Sequence, residues 1–139
     1  MDERINLIVQ FLEATLATPA DSRLPNALQE RNGLKEEQIV AVHLARITGL
    51  SATRLRSVFK AEMGTTPLQY FRRRRREEAR QMAETTTLTV SQILFDLGVA
   101  DASHFLRRFK KEFGKTMIEC RKEARARQAA EREITSKEN

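Results

Sequence analysis

Residues 59–70, FKAEMGTTPLQY, lie over residues 109–120, FKKEFGKTMIEC, at a constant offset of 50 residues, with Phe, Lys, Glu, Gly and Thr coinciding. Upstream of each Phe stand the signals of a capped helix, before it a turn holding Gly49 or Gly98, and before that a shorter helical segment; the two turns differ in register by one residue. Helix, tight Gly-containing turn, helix is the helix-turn-helix pattern, and this chain carries it twice.

The segments around the repeat read as helices too. Ile5, Ile8, Leu12 and Leu16 recur at helical spacing, so residues 3–17 are expected to form an amphipathic helix that Pro19 ends. The polar stretch Asp21 to Glu37, with Pro25 and an Asn-Gly pair at 32 and 33, reads as a loop with room for a short helix. Val40, Leu44 and Ile47 build a second helix from about Glu37, stopped by Gly49, and Ser51 caps a third over about Ala52 to Met63. Thr66-Pro67-Leu68-Gln69 joins a capping box to a proline at the first helical position, which predicts a long helix to about Glu84. Thr89 with Gln92 opens a short helix, Val90 to Leu97, and Asp101 caps the helix of Phe105, Phe109 and Phe113. Thr116 with Glu119 begins the last helix, expected to fray beyond Ala130.

The expected fold is therefore all-α, two helix-turn-helix subdomains joined by a long linking helix. Residues 1–37 make an N-terminal helix and a variable polar segment, 38–85 the first unit with the linking helix, 86–130 the second unit, and 131–139 a disordered tail. A linking helix of about 18 residues at ~1.5 Å each spans about 27 Å. Successive major grooves on one face of DNA lie about 34 Å apart. One chain is thus expected to reach two half-sites about one helical turn apart as a monomer.

Charge supports the same partner. The formal net charge is +6, and from Ser51 to Arg127 there are 18 Lys/Arg against 9 Asp/Glu. A basic folded segment points to a polyanion, of which nucleic acid is the commonest for a soluble protein. The single cysteine, Cys120, excludes an internal disulfide, and no Cys/His spacing suits zinc. No nucleophile with its base, phosphate loop or metal cluster appears, so neither an enzyme nor a cofactor is expected. The absence of a signal sequence or an apolar span leads to the expectation of a cytoplasmic, nucleoid-associated protein without a membrane partner.

At this point the sequence resembles the AraC/XylS family of bacterial transcription regulators, on LARITGLSATRLRSVFKAEMG, TPLQYFRRRRREEARQM and TVSQILFDLGVADASHFLRRFKKEFG, over about residues 38–125. Residues 5–19 look like the helix that precedes the first motif in stand-alone members. The resemblance implies that the second helix of each motif enters the major groove of double-stranded DNA. It also implies activation by contact with RNA polymerase. Departures are Val99 where Gly-Phe is common, Met117 and Cys120 where Pro and Tyr are common, and Arg74 and Arg76 at positions more often apolar. With no ligand-binding domain in this chain, regulation is expected through abundance or a partner protein.

Candidate base-reading residues follow from the register against Phe59 and Phe109: Thr53, Arg56 and Ser57 in the first unit, Ser103, His104 and Arg107 in the second. Arginine can donate two hydrogen bonds to guanine O6 and N7, the most informative major-groove contact. Lys60, Arg72, Arg73, Arg76, Arg108, Lys110 and Lys111 are candidate phosphate contacts, which position without reading sequence. The run Arg72 to Arg76 covers all sides of its helix, so part of it is expected to pair with Glu77, Glu78 or Glu84 instead. Leu55, Val58, Phe59, Phe105, Phe109 and Phe113 are expected in the core, and Cys120 and His43 are expected to be structural or incidental. A degenerate helix-turn-helix protein that sequesters another regulator is the competing reading. Structured-RNA binding is disfavoured by the lone Tyr and absent Trp.

Overall fold

The computed structural model describes residues 2–17 and 43–138. Among them the regular structure is entirely helical: α1 (Glu3–Ala17), α2 (residues 43–48), α3 (Ala52–Met63), α4 (Pro67–Thr85), α5 (Val90–Asp96), α6 (Ala102–Phe113) and α7 (Met117–Glu138). The polar stretch Asp21 to Glu37, and Val40 after it, lie outside the described residues. None of these helices is long and apolar enough to cross a membrane.

The caps that punctuate the sequence are formed. Ser51 Oγ accepts from the Arg54 amide at 3.2 Å, and Asp101 Oδ1 from the His104 amide at 3.0 Å, so α3 and α6 start at equivalent positions. Both end on a glycine with φ 74°, Gly64 and Gly114, whose amides return to Lys60 O and Lys110 O. That left-handed conformation strains any side chain with a Cβ, which is why glycine recurs there. Reciprocal capping boxes then open α4 through Thr66 and Gln69, and α7 through Thr116 and Glu119. A third, Thr89 with Gln92, opens α5.

The chain forms two compact units, Met1–Arg75 and Arg76–Asn139. In the first, the α1 stripe Ile5, Ile8, Leu12 and Leu16 packs with Leu44, Leu55, Phe59 and Phe71. Ile47, expected on the same apolar side as Leu44, is instead exposed. In the second unit, Ala79 and Ala83 join Ile93, Leu94, Leu97, Phe105, Phe109, Met117 and Cys120. Val58 and Phe113 sit at the margins of their cores. The expected division after residue 85 thus moves into α4, because Phe71 belongs to the first core while Ala79 and Ala83 belong to the second.

The tail is also corrected. Residues expected to be disordered from 131 continue α7 to Glu138. The sequence there, AAEREITSKE, is rich in strong helix formers and lacks Gly and Pro, and Thr135 returns its hydroxyl to Glu131 O at 3.0 Å.

Candidate nucleic-acid interface

Each unit presents its second motif helix with one face in the core and the other in solvent. On α3, Leu55 and Phe59 are buried, whereas Thr53, Arg56, Ser57 and Lys60 are exposed. On α6, Phe105 and Phe109 are buried, whereas Ser103, His104, Arg107, Arg108, Lys110 and Lys111 are exposed. The candidate base-reading residues therefore all reach the surface, those of each unit on a single helix.

The matched caps fix the register between the two helices and separate their arginines. At an offset of 50, Thr53 matches Ser103, but Arg56 matches Leu106 and Arg107 matches Ser57. At about 100° per residue, Ser57 and Arg107 lie opposite their buried pair, whereas Arg56 leaves α3 about 80° from the core direction. Arg108, at the position of half-buried Val58, is exposed rather than drawn into the core.

The basic residues near these helices divide by what holds them. Lys60 lies in the last turn of α3, and Lys110 and Lys111 in that of α6, where cations offset the carbonyl end of the helix. On α4, the Arg73 guanidinium lies 5.8 Å from the Tyr70 ring and that of Arg75 5.4 Å from the Phe71 ring. Arg74 and Arg76 each make an ion pair to another helix. Arg74 makes a two-pronged pair with Glu13 of α1, at 2.7 and 3.1 Å. Arg76 donates from Nε to Glu112 of α6 and leaves only 13% of its side chain exposed. Arg80 and Glu84 do pair along the helix, at 3.3 Å.

Several of these partners escape a reading of the chain alone. Glu13 accepts from Arg74 and from the Tyr70 hydroxyl, and these bonds, the Arg74 one foremost, hold its carboxyl below the usual range. Arg121 crosses to donate to the carbonyls of Ala83, at 2.9 Å, and Leu88. Glu62 and Glu112 coincide in the repeat, which is a visible signal, but their partners are not: Glu62 accepts from the Asp2 amide at 3.4 Å, Glu112 from Arg76. His43 packs against Phe11 with ring centroids 4.9 Å apart and the rings tilted at 42°, and burial, with Arg46 nearby, lowers its pKa. Cys120 is buried, and burial pushes its thiol up, which keeps it protonated and inert at neutral pH. Among the described residues, no group of three or more His, Cys, Asp or Glu is placed to hold a metal ion.

A family model described as a helix-turn-helix domain matches residues 44–123, from α2 into α7. The chain belongs to the AraC-type helix-turn-helix family. It is 28% identical over 125 residues to the arabinose operon regulatory protein of Salmonella typhimurium, covering 84% of this chain and 44% of that protein. It is 37% identical over 82 residues to the RCS-specific transcriptional activator RclR of Escherichia coli, covering 59% of this chain and 29% of that one. Among solved structures, an AraC-type transcriptional regulator from Chromobacterium violaceum superposes with a TM-score of 0.67 at 24% identity, over 88% of this chain and 92% of that one. That likeness establishes the AraC-type fold. The chain spans less than half the length of the curated relatives it matches.

Proposed function

We propose that this AraC-type chain is a sequence-specific double-stranded-DNA-binding transcription regulator that acts as an activator at promoters with RNA polymerase. The observation that carries the reading is the pair of equally capped helices, α3 and α6, each with a buried phenylalanine pair or Leu-Phe pair beneath and a polar, cation-bearing face in solvent. Thr53, Arg56 and Ser57 read bases from α3, and Ser103, His104 and Arg107 from α6. Lys60, Arg72, Arg73, Arg108, Lys110 and Lys111 hold phosphates. Because both helices belong to one chain, a monomer engages two half-sites, and the protein works in the cytoplasm at the nucleoid. The activator role draws on relatives whose names include activator, RclR among them.

Selection from random-sequence duplexes tests the reading: one enriched motif with two parts is expected, and no retention even at low salt would overturn it. Sedimentation of the complex on a minimal site is expected to give one chain per duplex. Transcription from that site with purified RNA polymerase is expected to rise.

One observation favours the competing class. Phe95, near the end of α5, is 69% exposed, a large apolar ring that lies on neither of the two proposed reading helices. It suits a face that docks on another protein. If Phe95→Ala keeps the selected motif and loses activation, the contact serves the activator reading. If the chain instead retains no duplex and captures another regulator through Phe95, sequestration replaces it.

A further inference from the structure

We infer that Arg76 is a positioning residue for the second recognition helix, acting through Glu112, and that it does not contact phosphate. The inference rests on the proposed DNA reading and deepens it. Glu112 stands in the last turn of α6, where the exposed carbonyl end of the helix disfavours a carboxylate. A cation from outside the helix that reaches the carboxylate offsets that cost and ties the turn to a neighbouring element. Arg76 supplies it, with its Nε on the Glu112 carboxylate and most of its side chain covered.

The next turn of α4 reaches the same end of α6: the Arg80 guanidinium lies 5.1 Å from the centre of the Phe113 ring. Two arginines four residues apart thus hold the last two residues of one recognition helix. The first unit treats the matching carboxylate in a parallel way. Glu62, in the last turn of α3, accepts from the Asp2 amide at the start of α1. In both units a carboxylate at the same repeat position ties the reading helix to the helix that precedes its motif. The first tie is to backbone; the second is to a side chain that this sequence places where the resembled family more often has an apolar residue.

An arginine on phosphate and an arginine on Glu112 differ in what their loss does. A phosphate contact removed lowers the log-log salt slope by about 0.9, with base preference intact. A positioning arginine removed leaves the slope alone and blurs preference at the half-site read from α6. The full-length chain and its Arg76→Gln, Glu112→Gln, doubly neutral and Arg76→Glu/Glu112→Arg forms are to be compared by motif selection and by affinity against salt. Both single variants are expected to bind the wild-type motif about two- to tenfold more weakly, and the doubly neutral form no worse than either. The charge-reversed pair is expected to recover much of the loss, which also guards against a variant that fails simply by unfolding.

Hydrogen exchange on the free protein is expected to quicken at the last turn of α6 in Glu112→Gln, a readout independent of DNA. A slope reduced by about 0.9 in Arg76→Gln, or tighter binding by Glu112→Gln, would overturn the inference and leave the DNA reading standing. A wild-type chain that selects no motif would overturn the DNA reading itself, and unchanged exchange in Glu112→Gln would then remove the tie as well.

Discussion

The two units share a backbone frame and fill it differently. Beyond the matched glycines, the first opens α4 with Pro67 and follows with Tyr70, Phe71 and Arg74, where the second opens α7 with Met117 and follows with Cys120, Arg121 and Ala124. Phe71 buries a ring in the first core. Arg121, at the matching place, instead donates to the carbonyls of Ala83 in α4 and Leu88 in the connection to α5. Tyr70 and Arg74 reach outward to one carboxylate, Glu13, whereas Cys120 and Ala124 are small and buried. Position in a repeat thus fixes where a side chain starts, while its neighbours decide whether apolar contact or hydrogen bonding holds it.

The largest test of that equivalence is at the base of each reading helix. Phe59 and Phe109 are both fully buried, so Phe59→Ala and Phe109→Ala are each expected to cost about 3–5 kcal/mol. Hydrogen exchange resolved by residue is expected to show the loss chiefly in the unit that carries the change. A loss much smaller in one unit would mean that its core can collapse around the void, and that the two are not equivalent. A smaller effect is expected at Arg121→Ala, about 1–3 kcal/mol, because two carbonyls lose a charged donor. Chemical denaturation followed in the second unit checks it, and Arg121→Phe, which copies the first unit, should not restore the loss, since the ring has no donor for Ala83 and Leu88.

The smallest effect concerns acid. The capping box of α4 uses Gln69, which does not titrate; that of α7 uses Glu119, whose carboxyl is held below its usual range chiefly by the hydrogen bond with the Thr116 amide. A carboxylate with a lowered folded-state pKa contributes stability that is present above the ordinary carboxylate range, about pH 4.3, and lost as the pH falls through its folded value. Glu119→Gln is therefore expected to flatten the acid limb of the second unit and leave stability near pH 7 almost unchanged. Melting temperatures measured from pH 7 to pH 3 would show it, and an unaltered acid limb would assign the loss to other carboxylates.

Much of this frame was legible in the chain. Ser51, Asp101, Gly64 and Gly114 are local signals whose meaning depends on a few adjacent residues, and the caps they predict are formed. The apolar spacing of α1 and the phenylalanines of the repeat identified core residues for the same reason. What stayed hidden is what depends on residues far apart in sequence. The arginines after Phe71 find Glu13 and Glu112, 61 and 36 residues away, and Arg121 finds carbonyls 33 and 38 residues before it. A five-arginine run gives no hint of which member meets which partner. The tail from 131 is expected to fray because it lies near the end of the chain, whereas helix propensity carries α7 to Glu138.

The reading faces carry the same contrast. Arg56 and Arg107 are both exposed arginines beside a buried phenylalanine, yet they occupy different repeat positions, about 100° apart around their helices. Met117 and Cys120, although they depart from the family pattern, are almost fully buried and belong to the same core as Phe105 and Phe109 of α6. Both arginines are then expected to matter comparably. The measurement that tests the central claim most directly is motif selection on Arg56→Ala and on Arg107→Ala beside the wild type. Each change is expected to cost about 1–3 kcal/mol and to relax preference in one half of the motif, a different half for each. A motif unchanged by both substitutions, or one half lost in both, would contradict the account of two independent reading helices in one chain.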